Sequence, residues 1–249
     1  MASYGELCTA FYDLDKPSAP EDALAFLKNQ IAQSPGPVFE PMCGSGRFLV
    51  PLLRQGIAVE GLDASPAMLQ ACRDRCARDG LTPLLYEGTF EAAMPSKNYG
   101  LIFILAGSFC LITDRQAAER SLDLLVSRLL PGGHLILEIE TIAGMTPGPH
   151  PWRSRRVNCP DGAELICQSQ STYHAEEQIG RVETIYELVQ DGQVRAQEHE
   201  TMSIRHYPLA AFDALLRAKG LTDITCLRPY TTQAADDGDE AVLFVCRKP

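Results

Sequence analysis

The chain has 249 residues, of which 45% are hydrophobic and 22% are charged, and its formal net charge is −10. Such values are ordinary for a globular protein of one large or two small domains. Nucleic-acid-binding proteins usually carry a broad basic face, so we expect no nucleic-acid partner. No apolar run approaches the roughly 18 residues of a membrane span, so we also expect no membrane insertion.

The cysteines and the N-terminal segment favour a cytoplasmic protein. The nine cysteines are scattered and lack the neighbouring Cys or His residues of a zinc site, so we expect reduced thiols and no metal. The N-terminal segment MASYGELCTAFYDLD has neither the basic start nor the apolar stretch of a secretory signal. We therefore expect a cytoplasmic location.

The first half of the chain alternates helices with short apolar strands. A helix predicted over residues 20–33 precedes the strand GPVFE, which ends at Glu40, and the helix RFLVPLLRQG, which is closed by Gly56. The strand AVEGLDAS ends at Asp63, and the next helix has Ser65 as its N-cap. This order is typical of βαβ units.

The same alternation continues to Thr141. The strands PLLYEG and YGLIFILAGS come first, then the helix DRQAAERSLDLLVSRLLPGG with its Pro-Gly-Gly stop, and then the strand HLILEIET. The continuous apolar run YGLIFILAGS is typical of a central parallel strand. Alternating strands and helices predict a doubly wound parallel sheet that is covered on both faces.

Residues 150–207 have a different texture, with alternating polar and apolar residues and the turn dipeptides Asp161-Gly162 and Asp191-Gly192. They predict inserted antiparallel strands. The helix PLAAFDALLRAKG follows, and then the strands LTDITCLRPY and EAVLFVCRKP, which predict an antiparallel hairpin at the sheet edge. We predict an α/β fold in one domain over residues 1–249, namely a Rossmann-like seven-stranded sheet in which residues 143–208 form an inserted antiparallel β lid.

The segment EPMCGSG places a glycine turn between the first strand and its helix. Gly44 and Gly46 fit a turn that passes close to a nucleotide-like ligand, but Leu49 stands where the dinucleotide fingerprint has its third glycine. Asp63, at the end of the next strand, suits a carboxylate that accepts both ribose hydroxyls. A nucleotide-like cofactor is therefore expected, and Leu49 disfavours NAD.

With these residues the sequence resembles the class I S-adenosylmethionine-dependent methyltransferases of small-molecule type. Their pattern E/D-x-G-x-G-x-G matches EPMCGSG, with Met42 in place of the first glycine. The turn survives this change if Met42 need not adopt a positive φ. The resemblance covers nearly the whole chain. It implies S-adenosylmethionine as cofactor, S-adenosylhomocysteine as product and a small-molecule acceptor that is methylated on nitrogen or oxygen.

The resemblance also implies individual roles. Glu40 would bind the amino group of the cofactor, Asp63 the ribose hydroxyls, and Met68 would lie against the adenine. Thr89 stands where the family often has an acidic residue that reads the adenine amino group. The full set of cofactor-binding candidates is Tyr12, Glu40, Met42, Gly44, Ser45, Gly46, Arg47, Asp63, Ala64, Met68, Thr89, Phe90, Ala106 and Phe109.

Acceptor-side candidates come from the predicted lid. Trp152, Arg205 and Tyr207 are candidates for substrate binding, although Arg205 could instead pair with an acidic residue nearby in sequence, Glu198 or Glu200. Strand alternation puts Arg205 and Tyr207 on one face and His206 on the other, and only one face can look into the pocket.

The sequence does not identify a catalytic residue, but it offers two candidates. They are His206, since histidine ordinarily titrates near neutral pH, and Tyr12 of the N-terminal segment. A lone histidine in a strand is, however, more often structural. Two other functions remain open, a non-catalytic regulatory protein that binds S-adenosylmethionine and an NAD-dependent oxidoreductase. The oligomeric state, monomer or homodimer, is also open.

Overall fold

A computed structural model describes residues 4–249. Its helices and strands follow one another along the chain in this order: α1 Glu6–Asp15, α2 Glu21–Ala32, β1 Val38–Pro41, α3 Leu49–Arg54, β2 Val59–Asp63, α4 Pro66–Arg78, β3 Leu84–Glu87, α5 Phe90–Ala93, β4 Tyr99–Ile104, α6 Arg115–Ser127, β5 Leu129–Glu140, β6 Gly148–Pro149, β7 Arg153–Asn158, β8 Glu164–His174, β9 Ile179–Gln190, β10 Gln193–Arg205, α7 Leu209–Ala218, β11 Thr222–Leu227 and β12 Ala241–Arg247.

The main sheet has seven strands in the order β11-β12-β5-β4-β1-β2-β3. Strands β1 to β5 pair with one another in parallel, whereas β12 is antiparallel to both β5 and β11. Every residue of β4 is buried, as expected for a strand in the middle of a sheet that is covered on both faces. The predicted α/β fold, with its antiparallel C-terminal strands, is confirmed.

Local signals explain several helix ends. The Ser65 hydroxyl accepts a hydrogen bond from the Met68 N–H and caps α4, and the Asp114 carboxylate caps α6 through the Ala117 N–H. The predicted extent of α6 was too long, because the helix ends at Ser127. Leu129 already belongs to β5, where it pairs with Tyr99.

A second sheet contains β6, β8, β9 and β10, with β7 paired to the edge of β8. All its pairings are antiparallel, as the alternating sequence predicted. The turn between β9 and β10 has positive φ at both Asp191 and Gly192, as in the type I′ turns that join twisted strands. We call this layer the lid sheet.

Helix α1 lies between the lid sheet and α4. Phe11 packs against Tyr186 of β9, with their ring centroids 5.7 Å apart, and the Arg75 guanidinium of α4 forms a 2.8 Å ion pair with Asp13. The first N–H groups of the helix have no side-chain cap of their own, since Gly5 precedes it. Carboxylates of β10 accept these hydrogen bonds instead. None of the helices within residues 4–249 is long and apolar enough to cross a membrane.

Candidate active site

A cavity of about 850 Å³ lies between the carboxyl ends of the parallel strands, helix α1 and the lid sheet. Ligand sites of open α/β sheets are found at these strand ends. Most of the predicted cofactor-binding residues line this cavity: Tyr12, Glu40, Met42, Gly44, Arg47, Asp63, Ala64, Met68, Thr89, Phe90 and Ala106.

The glycine turn after β1 is built from residues in the left-handed region. Met42 has a φ of 60°, Gly44 of 53° and Gly46 of 78°. Met42 therefore does adopt a positive φ, contrary to the condition stated for this substitution. This conformation costs a non-glycine residue about 1–2 kcal/mol. Methionine occupies the place of the family's first glycine at the expense of backbone strain.

Three of the predicted cofactor residues do not line the cavity. Ser45 is buried within the turn, and Phe109 packs in the core against Phe212. Gly46 acts through packing, because a Cβ atom there would lie 2.6 Å from the Cys72 Sγ and 2.8 Å from the Val50 Cγ2. Its role is to let the turn approach the two following helices closely.

Asp63 ends β2 with its carboxylate held by the backbone. Its Oδ2 accepts the Gly44 N–H at 2.8 Å and its Oδ1 accepts the Ser65 N–H at 2.9 Å. Burial raises the pKa of Asp63, and these hydrogen bonds oppose the increase. Neighbouring backbone groups thus orient a carboxylate at the cavity wall.

Glu40, the penultimate residue of β1, carries a buried carboxylate and is only 3% exposed. Its Oε2 has no hydrogen-bond partner among residues 4–249. Burial, and then the charge of Asp63, raise the pKa of Glu40 well above its ordinary value. An unsatisfied carboxylate oxygen in a cavity wall is costly unless a donor reaches it, so the position suits an ammonium or N–H group of a ligand.

The end of β4 turns sharply beside the cavity. Ala106 and Gly107 both have positive φ, and the Ala106 N–H donates to Glu138 Oε2 at 2.8 Å. The Tyr230 hydroxyl donates to the same oxygen at 2.5 Å. Our sequence reasoning missed Glu138 and Tyr230. The signal for the first was an acidic residue inside the apolar strand HLILEIE.

Helix α1 and Tyr4 just before it supply another part of the cavity wall. Tyr4, Cys8, Phe11 and Tyr12 line the cavity from this side. Burial raises the pKa of the Tyr4 and Tyr12 hydroxyls and of the Cys8 thiol. All three groups are therefore protonated at neutral pH, and Tyr12 is not suited to the role of a general base.

The lid contributes residues other than those predicted. Thr201, Met202 and Ser203 of β10 line the cavity. Trp152 is 48% exposed on the surface, and Tyr207 packs in the core with its ring centroid 4.8 Å from that of Phe212. Neither residue lines the cavity, so we do not retain them as substrate-binding residues.

His206 does not line the cavity either. Its Nδ1 lies 2.9 Å from the Thr141 carbonyl oxygen, and its ring packs edge-on against Tyr173. Burial lowers the pKa of His206. These contacts are those of a structural histidine, and they do not support His206 as a catalytic candidate.

Arg205 lies beside a second cavity of about 420 Å³. Its Nε donates to the Thr113 carbonyl at 2.7 Å and its Nη1 donates to the Glu177 carbonyl at 3.0 Å. The expected alternative partners of Arg205 are engaged elsewhere, since Glu198 and Glu200 accept hydrogen bonds from the start of α1.

Residues 38–133 match a family model described as a methyltransferase domain. No curated protein matches the sequence. The matched segment contains β1 to β4, the glycine turn and Asp63, and so includes part of the wall of the larger cavity.

Solved structures share the fold along the full chain. An S-adenosylmethionine-dependent methyltransferase from Clostridium acetobutylicum is 15% identical, with a TM-score of 0.79 and coverage of 98% of each chain. CalS10, an amino pentose methyltransferase from Micromonospora echinaspora solved with S-adenosylmethionine bound, is 20% identical, with a TM-score of 0.74 and coverage of 99% of this chain and 98% of its own.

A third structure, the sugar N-methyltransferase KedS8 from a Streptoalloteichus species, is 18% identical and has a TM-score of 0.75. The alignment covers 96% of this chain and 91% of that one. The lid sheet therefore belongs to the shared fold, because the alignments extend well beyond the matched domain.

Proposed function

We propose that this protein is a class I S-adenosylmethionine-dependent methyltransferase and that it transfers a methyl group to an amine nitrogen of a small molecule bound in the larger cavity. The observation that carries the proposal is the pair of carboxylates at the ends of β1 and β2. Glu40 offers a buried oxygen without a partner, and Asp63 is oriented by two backbone N–H groups, both within the matched methyltransferase domain.

The residues present fit this cofactor. Glu40 would receive its ammonium group, Asp63 its ribose hydroxyls, and Met68 would lie against the adenine. Thr89 and Phe90 line the same cavity. The cofactor supplies a methyl group already activated as a sulfonium. The protein's task is then to orient the acceptor and exclude water, and orientation alone can contribute about 7–11 kcal/mol.

The absence of an imidazole, thiolate or phenolate base among the described residues of the cavity wall favours nitrogen over oxygen as the acceptor atom. None of the cavity-lining residues in the described chain is a histidine. The thiol and phenol groups on the α1 side stay protonated because burial raises the pKa of each. A hydroxyl acceptor gains from a general base, whereas a neutral amine attacks with its own lone pair. The same choice is supported by KedS8, described as a sugar N-methyltransferase, and by CalS10, described as an amino pentose methyltransferase.

Calorimetric titration tests the cofactor assignment. We expect the purified protein to bind S-adenosylmethionine and S-adenosylhomocysteine but not NAD. Asp63→Ala should weaken binding at least about tenfold, since it removes a charged hydrogen-bond acceptor. Asp74→Ala, at an exposed position of α4, is the matched control and should leave binding unchanged. Binding of NAD alone would overturn the assignment.

Methyl transfer itself is tested with pairs of amines and alcohols of equal carbon skeleton, by mass spectrometry of the products. Methylation of the amines alone supports the proposal. Methylation of the alcohols alone refutes nitrogen as the acceptor atom. Cofactor binding without any turnover over a broad panel would instead favour a non-catalytic, regulatory S-adenosylmethionine-binding protein.

A further inference from the structure

The second cavity adjoins the first, because Thr113, Asp114 and Ser203 line both. The smaller cavity lies between the segment that leads into α6 and the strands β9 and β10 of the lid sheet. It is therefore placed on the acceptor side of the site, away from the glycine turn.

Arg205 is a buried cation in the wall of this second cavity. Its residue is 8% exposed, and its two hydrogen bonds go to carbonyl oxygens, those of Thr113 and Glu177. No carboxylate of residues 4–249 lies within ion-pair distance, 4.0 Å, of its guanidinium. A buried charge without a counter-charge is unfavourable, and a bound anion would relieve that cost.

The surrounding charges favour an anion as well. Arg115 and Arg181 line the same cavity, are exposed to solvent, and form no ion pair with a carboxylate in the described part of the chain. The carboxylates of the cavity are Asp114 and Glu177. Asp114 is already engaged, because its Oδ1 accepts the Ala117 N–H at 2.7 Å to cap α6. Three guanidinium groups thus face two carboxylates, in a chain whose net charge is −10.

We propose that the second cavity is a subsite for an anionic group, a carboxylate or a phosphate, of the methyl acceptor. Arg205 is its buried cation, and Arg115 and Arg181 complete it from the cavity rim. Guanidinium groups match the planar and forked geometry of such anions. The two carbonyl contacts hold the Arg205 side chain in place, so an anion bound there would fix the end of the acceptor opposite its reacting amine. This assignment rests on the proposed function for the identity of the ligand.

Anion binding by the cofactor-free protein tests the subsite separately from methyl transfer. We would titrate the protein with inorganic phosphate and with acetate, following calorimetric heats. The double variant Arg115→Gln/Arg181→Gln removes two exposed cations and should fold normally, and we expect at least about tenfold weaker binding of the preferred anion. Arg78→Gln, at an exposed position of α4, is the matched control and should bind as the wild type does.

Arg205→Gln should abolish anion binding, provided that circular dichroism shows a folded chain. If that variant does not fold, the double variant still decides. The subsite would be overturned if the double variant bound phosphate and acetate as tightly as the wild type and the control do. The absence of any anion binding would also overturn it, even if the protein binds S-adenosylmethionine, and the proposed function would then stand without it.

The acceptor assay shows whether the subsite prefers a carboxylate or a phosphate on the methyl acceptor. Amines that carry a carboxylate, a phosphate or a neutral amide at the same distance are compared by KM. The subsite predicts a lower KM for one of the two anionic amines, and that advantage should disappear in the double variant. An equal KM for all three amines would contradict the subsite, whichever acceptor is methylated.

Discussion

Glu198 couples the lid sheet to helix α1, and Glu198→Gln should loosen that helix. The Glu198 Oε2 accepts the Leu7 N–H and its Oε1 accepts the Cys8 N–H, each at 3.0 Å. The substitution keeps the shape of the side chain, but it removes the charge and turns one acceptor into a donor that faces an N–H group. The substitution therefore acts on the docking of α1 rather than on any cavity-lining atom.

The size of the effect follows from these contacts. Hydrogen bonds to a charged group contribute about 1.5–3 kcal/mol each. The amide oxygen of glutamine can keep one of the two bonds, so one bond is lost. Glu198 is only half-buried, so solvent screening favours the lower end for that bond, about 1.5–2 kcal/mol. That corresponds to a loss of about 10- to 30-fold in the docking equilibrium of α1. Since Tyr4, Phe11 and Tyr12 line the larger cavity, cofactor affinity should fall as well.

Hydrogen–deuterium exchange with mass spectrometry measures this directly. Peptides that cover α1 should exchange about 10- to 30-fold faster in Glu198→Gln, while peptides from α4 and the main sheet keep their rates. Glu183→Gln, at an exposed position of β9, is the matched control. Unchanged exchange in α1, or an equal increase in the control, would refute the reasoning.

Three further substitutions follow from the site. Met42→Gly should be about 1 kcal/mol more stable than Met42→Ala in urea denaturation, because only glycine relieves the positive φ; the reverse order would show that the turn is unstrained. Tyr230→Phe removes the hydroxyl donor to Glu138, so thermal denaturation should show a loss of about 1–3 kcal/mol, and an unchanged Tm would contradict that role. Burial raises the pKa of Glu40 in the folded state, so the wild-type protein loses stability as pH rises from the ordinary glutamate pKa through this raised value. Cofactor-free Glu40→Gln should therefore be more stable than wild type at neutral pH, with a gain that vanishes in acid, while calorimetry shows S-adenosylmethionine binding about tenfold or more weaker; a gain independent of pH would exclude Glu40 as its source.

Local sequence patterns were sufficient for the framework of the protein. The apolar strand segments, the acidic residues that end β1 and β2, and the Ser65 cap all depend on neighbours only a few residues away. Such signals act over one turn or one strand, so spacing alone reveals them. For the same reason the carboxylates of Glu40 and Asp63 were placed correctly at one edge of the sheet, where the carboxyl ends of parallel strands meet.

Tertiary contacts alone decided how helix α1 forms. Helix α1 has no local cap, and its N–H groups are satisfied by Glu198, which is 191 residues from Leu7 and 190 from Cys8. Strand alternation predicted Arg205 and Tyr207 on one face and His206 on the other, but β10 already ends at Arg205. Alternation could not show that Arg205 reaches carbonyls of Thr113 and Glu177 beside a second cavity.

The amino-acid sequence by itself determined the strands β1 to β5, the helices α3, α4 and α6 between them, the glycine turn and the two carboxylates beside it. Only the tertiary structure decided which lid residues face the cavities, that Met42 carries a positive φ, and that Glu138 and Tyr230, 92 residues apart, brace the turn after β4. The physical reason is one of range. Hydrophobic periodicity and capping are local, whereas burial, charge compensation and backbone strain depend on residues that only folding brings together.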